Sequence, residues 1–162
     1  MADWYVTNLR EGKWWDYGPS GFARSLVEDD DRQVAVNVFV LEPGQPMSMY
    51  HWEADQEGFL VLAGEALLVI DGEEQTIRQW DYVHCPPGVP HTRVGAGNGP
   101  CVILAIGARE HQDGEGWGGY PYSELAMRHN ASAEEETTSV EVAYARFPKR
   151  VEGTFDADWL PS

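Results

Sequence analysis

The chain has 162 residues, of which 43% are hydrophobic, so its length and composition fit one folded domain and not a disordered chain. Its 27 Asp and Glu residues outnumber 11 Lys and Arg residues, and the formal net charge of −16 repels phosphate backbones and anionic lipids. We therefore expect no nucleic-acid and no membrane partner, and because the sequence shows neither a spanning apolar run nor a secretory leader pattern, we expect a cytoplasmic protein.

The first predicted region is an N-terminal extension, residues 1–33, that is rich in aromatic side chains. Trp4, Trp14 and Trp15 indicate that this extension packs on something, either as an extra strand on a sheet edge or against a second subunit. The exterior of a small domain seldom leaves so much aromatic surface in water. We therefore predict a homodimer.

Short β-strands separated by Gly and Pro dominate the central region. The predicted strands cover residues 34–41, 59–62, 66–70, 73–78, 82–85, 91–94 and 102–108. Asp71-Gly72 is a two-residue hairpin turn that tolerates positive φ. Strands at this spacing predict an all-β sandwich or barrel, and the strand pattern alone does not choose between the two.

The remaining residues, 110–162, are predicted to form a C-terminal extension with one short helix. That helix covers residues 122–130, with Ser123 as its N-cap and Asn130 as its stop. Residues 133–138 are acidic and predict a solvent-exposed loop. We interpret residues 1–162 as a single domain with a barrel core at about 34–109.

Two histidines and two carboxylates lie beside the predicted strands: His51, Glu53, Glu57 and, well downstream, His91. Imidazole and carboxylate ligands together suit one divalent metal ion, namely iron, manganese, zinc or nickel. A histidine on a strand is more often a core or surface residue than a ligand. Only a folded sheet can bring the two segments together, so the site depends on the fold.

The first of these segments resembles the first sequence motif of the cupin superfamily. Gly44, His51, Glu53, Glu57 and Gly64 fall on that motif. It departs from the usual pattern by one extra residue after Gly44 and by Glu53 in the position where a second histidine is usual.

The second segment resembles the second cupin motif, through Pro86, Gly88 and His91. Trp80 replaces its leading glycine and Gly95 its trailing asparagine. The resemblance covers roughly residues 34–109 and is strongest to small single-domain bacterial cupins. It implies a jelly-roll barrel, also called a double-stranded β-helix, that holds a metal inside.

The strand pattern leaves two registers open at the first motif. In one register His51 and Glu53 point into the barrel together, because alternate residues of a strand share a face. In the other register Tyr50 and Trp52 point inward, and only His91 and Glu57 are strong ligands. We favour the first register.

The set His51, Glu57 and His91 matches the two-histidine, one-carboxylate sites of non-haem iron enzymes, which keep coordination positions open. We therefore hypothesise a metal-dependent enzyme of dioxygenase type that acts on a small organic molecule. The resemblance equally implies a metal-dependent isomerase, or a non-catalytic cupin that binds a small ligand or stores metal. The sequence contains no recognisable nucleophile with a paired base and no phosphate-binding glycine loop.

Overall fold

The computed structural model describes residues 4–27, 33–112 and 114–162. Its strands are β1 (Trp14–Asp16), β2 (Phe22–Ser25), β3 (Val34–Leu41), β4 (Trp52–Glu53), β5 (Glu57–Ala63), β6 (Glu65–Ile70), β7 (Glu73–Arg78), β8 (Tyr82–Cys85), β9 (His91–Ala96), β10 (Cys101–Ala108), β11 (Gly118–Gly119) and β12 (Val151–Gly153). Its two α-helices are α1 (Glu124–Met127) and α2 (Val140–Ala143). The prediction of an all-β protein is confirmed.

Antiparallel pairing organises these strands into sheets that enclose the core. A seven-stranded sheet has the order β12-β1-β2-β3-β10-β5-β8, a three-stranded sheet has the order β7-β6-β9, and β4 pairs with β11. One apolar cluster contains Phe59 and Ile103 from the large sheet together with Leu68 and Ile77 from the small one. The two sheets therefore pack face to face, as in a jelly-roll barrel.

The predicted central strands agree closely with the structure. The strands predicted at 34–41, 73–78 and 82–85 have the observed bounds. The hairpin turn lies where the sequence places it, and Asp71 and Gly72 have φ values of 49° and 78°. Positive φ at both central residues is the requirement of a type I′ turn, which Asp-Gly satisfies at low cost.

The N-terminal extension forms strands of the same sheet, so the extra-strand alternative holds for its described part; residues 1–3 and 28–32 lie outside the described residues. Trp14 is 2% exposed, and its ring stacks on Phe155 at 3.9 Å. The guanidinium of Arg150 lies over Trp15. Two of the three tryptophans thus find partners within the chain, whereas Trp4 is 86% exposed. The homodimer stays a prediction.

The C-terminal extension contains a helix at the predicted place, although it covers only Glu124–Met127 of the predicted residues 122–130, and a second helix that the sequence did not predict. The Ser123 hydroxyl oxygen accepts a hydrogen bond from Ala126 N at 3.2 Å, which caps α1, and Asn130 has φ 56°. The prediction of one helix is therefore incomplete, because α2 has only four residues and shows no helical periodicity. No helix in the described ranges is both long and apolar enough to cross a membrane.

Candidate metal centre

The two predicted histidines lie on neighbouring backbone segments. His51 N donates to His91 O at 3.2 Å, and His91 N donates to His51 O at 2.8 Å. This isolated antiparallel bridge joins the first motif to the start of β9. Directly opposite residues of an antiparallel pair place their side chains on the same face, and the two imidazole centroids are 5.0 Å apart.

Glu57, at the start of β5, completes a group of three. One ligand atom from each of His51, Glu57 and His91 lies within 4.8 Å of the others. Glu57 Oε2 is 2.9 Å from His91 Nε2. Glu53 Oε1 is 3.6 Å from His51 Nε2, but this carboxylate lies outside the group of three. The structure thus brings three of the four predicted ligands together and places the fourth beside one of them.

Backbone carbonyls fix the orientation of both imidazoles. His51 Nδ1 is 2.7 Å from Met49 O, and His91 Nδ1 is 2.8 Å from Val89 O. A carbonyl oxygen only accepts hydrogen bonds, so each Nδ1 carries the proton. The lone pair of each neutral ring is therefore on Nε2, which is the arrangement found for metal-binding histidines.

Two buried atoms of this group have no hydrogen-bond partner. Glu57 Oε2 and His91 Nε2 are inaccessible, and despite their 2.9 Å separation neither makes a hydrogen bond of sound geometry in the described structure. A carboxylate oxygen and an imidazole lone pair repel each other at this distance unless a proton or a metal cation lies between them. The residues therefore fit a divalent ion, which would satisfy both atoms.

The protonation states of the group also favour a cation. Burial lowers the pKa of His91, and this effect outweighs the neighbouring Glu57 carboxylate. Burial alone would raise the pKa of Glu57, but His91 and the charge of Arg93 lower it. A neutral imidazole and an ionised carboxylate are the forms that bind metal.

A cavity of about 260 Å³ opens beside the group, and alternate residues of the first motif line it. His51, Glu53, Asp55, Glu57 and Phe59 all contribute to its wall. Inward-pointing side chains at every second residue are what the favoured register, with His51 and Glu53 facing the barrel interior, predicts. The other register is wrong for Tyr50, which packs in a different apolar cluster.

A comparison with known protein families identifies the region that carries these residues. A family model described as "Cupin domain" matches residues 37–107. Residues 37–107 form a cupin domain.

Solved structures resemble this cupin domain in fold. A sugar phosphate isomerase from Silicibacter pomeroyi is 28% identical over 54% of this chain and 59% of its own, with a TM-score of 0.51. The chain therefore spans less than two thirds of that protein. A Cupin 2 conserved barrel domain protein from Salinispora arenicola is 22% identical over 66% of this chain and 89% of its own, with a TM-score of 0.53. An RmlC-like cupin from Shewanella frigidimarina is 15% identical over 68% and 96%, with a TM-score of 0.59. The comparison with curated proteins gives no match.

The sequence analysis did not identify two residues that line this cavity, Asp55 and Arg93. Asp55 lines the cavity and accepts hydrogen bonds from His111, from Nδ1 at 2.7 Å and from the backbone N at 2.9 Å. Arg93 lines the cavity from β9. Both lie two residues from a predicted ligand, Glu57 or His91, so strand alternation was a signal that could have found them.

The remaining candidates near the second motif have other roles. Cys85 belongs to the apolar core, and burial raises the pKa of its thiol to about 11. His84, next to it, faces solvent. Trp80 replaces the leading glycine of the motif and has φ 75°, a conformation that favours glycine. The motif's backbone geometry is thus kept despite the substitution.

Proposed function

We propose that this cupin is a metal-dependent enzyme in which His51, Glu57 and His91 bind one divalent ion and the adjoining cavity holds a small organic substrate. The observation that carries the proposal is the buried pair of Glu57 Oε2 and His91 Nε2, which lie 2.9 Å apart without a hydrogen bond of sound geometry. Structural packing alone does not account for two such atoms, because burying unsatisfied polar groups destabilises a fold.

The donor set favours oxygenase chemistry among the reactions open to such a site. A redox-active ion such as ferrous iron on two histidines and one carboxylate would supply oxidation of a bound substrate by dioxygen, with several coordination positions free. The protein's own part is to orient both imidazoles through Met49 O and Val89 O. We include Glu53 as a fourth ligand, because its carboxylate lies 3.6 Å from His51 Nε2.

An isomerase is the second candidate. The 28% identity to the Silicibacter pomeroyi sugar phosphate isomerase supports it, although the match covers 54% of this chain. A non-catalytic cupin that binds a small ligand or stores metal is the third reading of the same site. Such a protein would bind the ion and a ligand without turnover.

Anaerobic loading with ferrous iron separates these candidates. The proposal predicts that nitric oxide, used in place of dioxygen, gives a new spectroscopic signal with the loaded wild type and with His84→Ala, but not with His91→Ala. Oxygen uptake is then measured with small phenolic, keto-acid and thiol compounds. Absence of a nitric oxide signal, with iron demonstrably bound, would end the oxygenase proposal and leave the isomerase or the binding protein.

The proposal retains the predicted partners and location: a cytoplasmic homodimer that binds neither nucleic acid nor membranes. The formal net charge of −16 supports the exclusion of polyanionic partners. Exposed apolar side chains near the N-terminus, Trp4 and Val6, support the dimer. Light scattering at concentrations well above micromolar checks it: twice the chain mass is expected, and one chain mass contradicts the dimer.

A further inference from the structure

Arg93 is a buried cation that the proposed metal site does not use. It is 1% exposed and lines the cavity beside the three-ligand group. Its Nε and Nη1 atoms are inaccessible and have no hydrogen-bond partner. Among the described residues, no carboxylate lies within salt-bridge distance of its guanidinium. A buried charge without a partner is strongly destabilising, so its presence calls for an explanation.

Phe59 holds the guanidinium in place without using its hydrogen-bond donors. The guanidinium carbon lies 3.3 Å from the centroid of the Phe59 ring. A cation–π contact occupies the flat face of the guanidinium, whereas its N–H groups point outward in the plane. Arg93 is therefore fixed in position, and its Nε and Nη1 hydrogens are left without an acceptor in the described structure.

The charges of the cavity favour an anion. A divalent ion and the guanidinium groups of Arg93 and Arg109 bring four positive charges, against three negative charges from Glu53, Asp55 and Glu57. The filled site is thus net positive, and an anion would bring it closer to neutrality.

A second, more apolar cavity of about 460 Å³ adjoins the first. The two cavities share four lining residues: Phe39, Met47, Ser48 and Trp117. The other walls of the second cavity include Tyr120, Tyr144 and Phe147. We name this space the aromatic chamber. A ligand whose charged end reaches Arg93 would place its apolar part against these side chains.

We propose that Arg93 binds the carboxylate of a small aromatic acid whose ring occupies the aromatic chamber. The inference names a substrate class for the proposed metal-dependent function and rests on that function for the charge balance. A guanidinium matches a planar carboxylate, with which it forms paired hydrogen bonds. A sugar phosphate fits less well, because it has no aromatic ring to place against Tyr120, Tyr144 and Phe147.

Calorimetric titration of the full chain with phenylacetate tests the inference. Acetate, benzyl alcohol and glucose 6-phosphate are the comparison ligands, and each is measured with the metal-free and the metal-loaded protein. Phenylacetate should bind at least about 10-fold more tightly than each comparison ligand, since only it has both the carboxylate and the ring. The metal-loaded protein should bind it more tightly than the metal-free protein.

Three variants assign the contacts. Arg93→Met should lower phenylacetate affinity roughly 10- to 100-fold, the effect of losing hydrogen bonds to a charged group. Arg93→Lys keeps the charge but loses the planar fork, so a smaller loss is expected, and it serves if Arg93→Met does not fold. Phe147→Ala should weaken phenylacetate but not acetate. The control Arg78→Met, at an exposed position on β7, should change nothing.

The outcomes separate this inference from the metal proposal. Arg93-dependent phenylacetate binding to a protein that binds no metal supports the inference and contradicts the proposed function. Metal binding without phenylacetate binding contradicts the inference alone. Equal phenylacetate affinity in the wild type and both Arg93 variants overturns it, as does tighter binding of glucose 6-phosphate.

Discussion

The contact between Phe59 and Arg93 predicts a measurable coupling free energy. Phe59 is 1% exposed, and the guanidinium carbon of Arg93 lies 3.3 Å from its ring centroid. A cation–π contact that is removed from water contributes about 2 kcal/mol. Replacing the ring by a smaller aliphatic side chain costs a further amount on the order of 1 kcal/mol in packing.

Phe59→Leu should therefore lower the free energy of unfolding by about 3 kcal/mol when Arg93 is present, but by about 1 kcal/mol in the Arg93→Met background. For a chain of this size, the melting temperature should fall by roughly 6–12 °C in the first case and 2–4 °C in the second. The control is Phe39→Leu, another phenylalanine that lines the same cavity. Its effect should be the same in both backgrounds.

The assay is urea unfolding of the four proteins of this double-mutant cycle, with a chelator present so that bound metal adds no stability. Losses for Phe59→Leu that agree in the two backgrounds within about 0.5 kcal/mol would refute the reasoning. Arg93 would then be held by something other than the ring, and its orientation toward the cavity would lose its support.

Two further predictions concern backbone strain and pH. Gly64→Ala should destabilise the protein by more than about 2 kcal/mol, because Gly64 has φ +73° and its new Cβ would overlap a backbone oxygen. The control Gly72→Ala has a similar φ but open space around the new Cβ, so it should cost about 1 kcal/mol. Equal losses of the two variants in thermal unfolding would contradict this prediction. The hydrogen bond to Asp55 raises the pKa of His111, so the stability difference between wild type and His111→Gln should be full below about pH 6.5 and shrink as pH rises through the raised pKa. A difference that grows with pH in urea unfolding would contradict the pairing.

The barrel strands were predictable because their signals are local. One strand boundary follows from a β-branched apolar run that ends at Pro43-Gly44, and another from the Asp71-Gly72 turn. Both depend on the local backbone preferences of the turn residues themselves. Helix α2 and strand β12 were not predictable in this way. They are short, and they are stabilised by packing on residues far away in sequence.

The candidate site was predictable only in part, for a related reason. Spacing identified His51, Glu57 and His91, and strand alternation placed Glu53 on the same face. Strand alternation also places Arg93 on the face of His91, but an arginine on a strand usually points to solvent, and only the closed barrel buries it. Among the described residues, Arg93 has no carboxylate within salt-bridge distance, and a sequence does not show the absence of such a contact.

Titration of the metal-free protein with a divalent ion, with the bound ion counted by elemental analysis, tests the central claim most directly. The account predicts about one ion per chain for the wild type and for the control His84→Ala, whose imidazole faces solvent. His91→Ala should remain folded, because core residues such as Leu68, Ile77 and Ile103 lie outside the lining of the cavity, but should bind the ion more than about 100-fold less tightly. A His91→Ala protein that bound one ion with undiminished affinity would show that the site lies elsewhere.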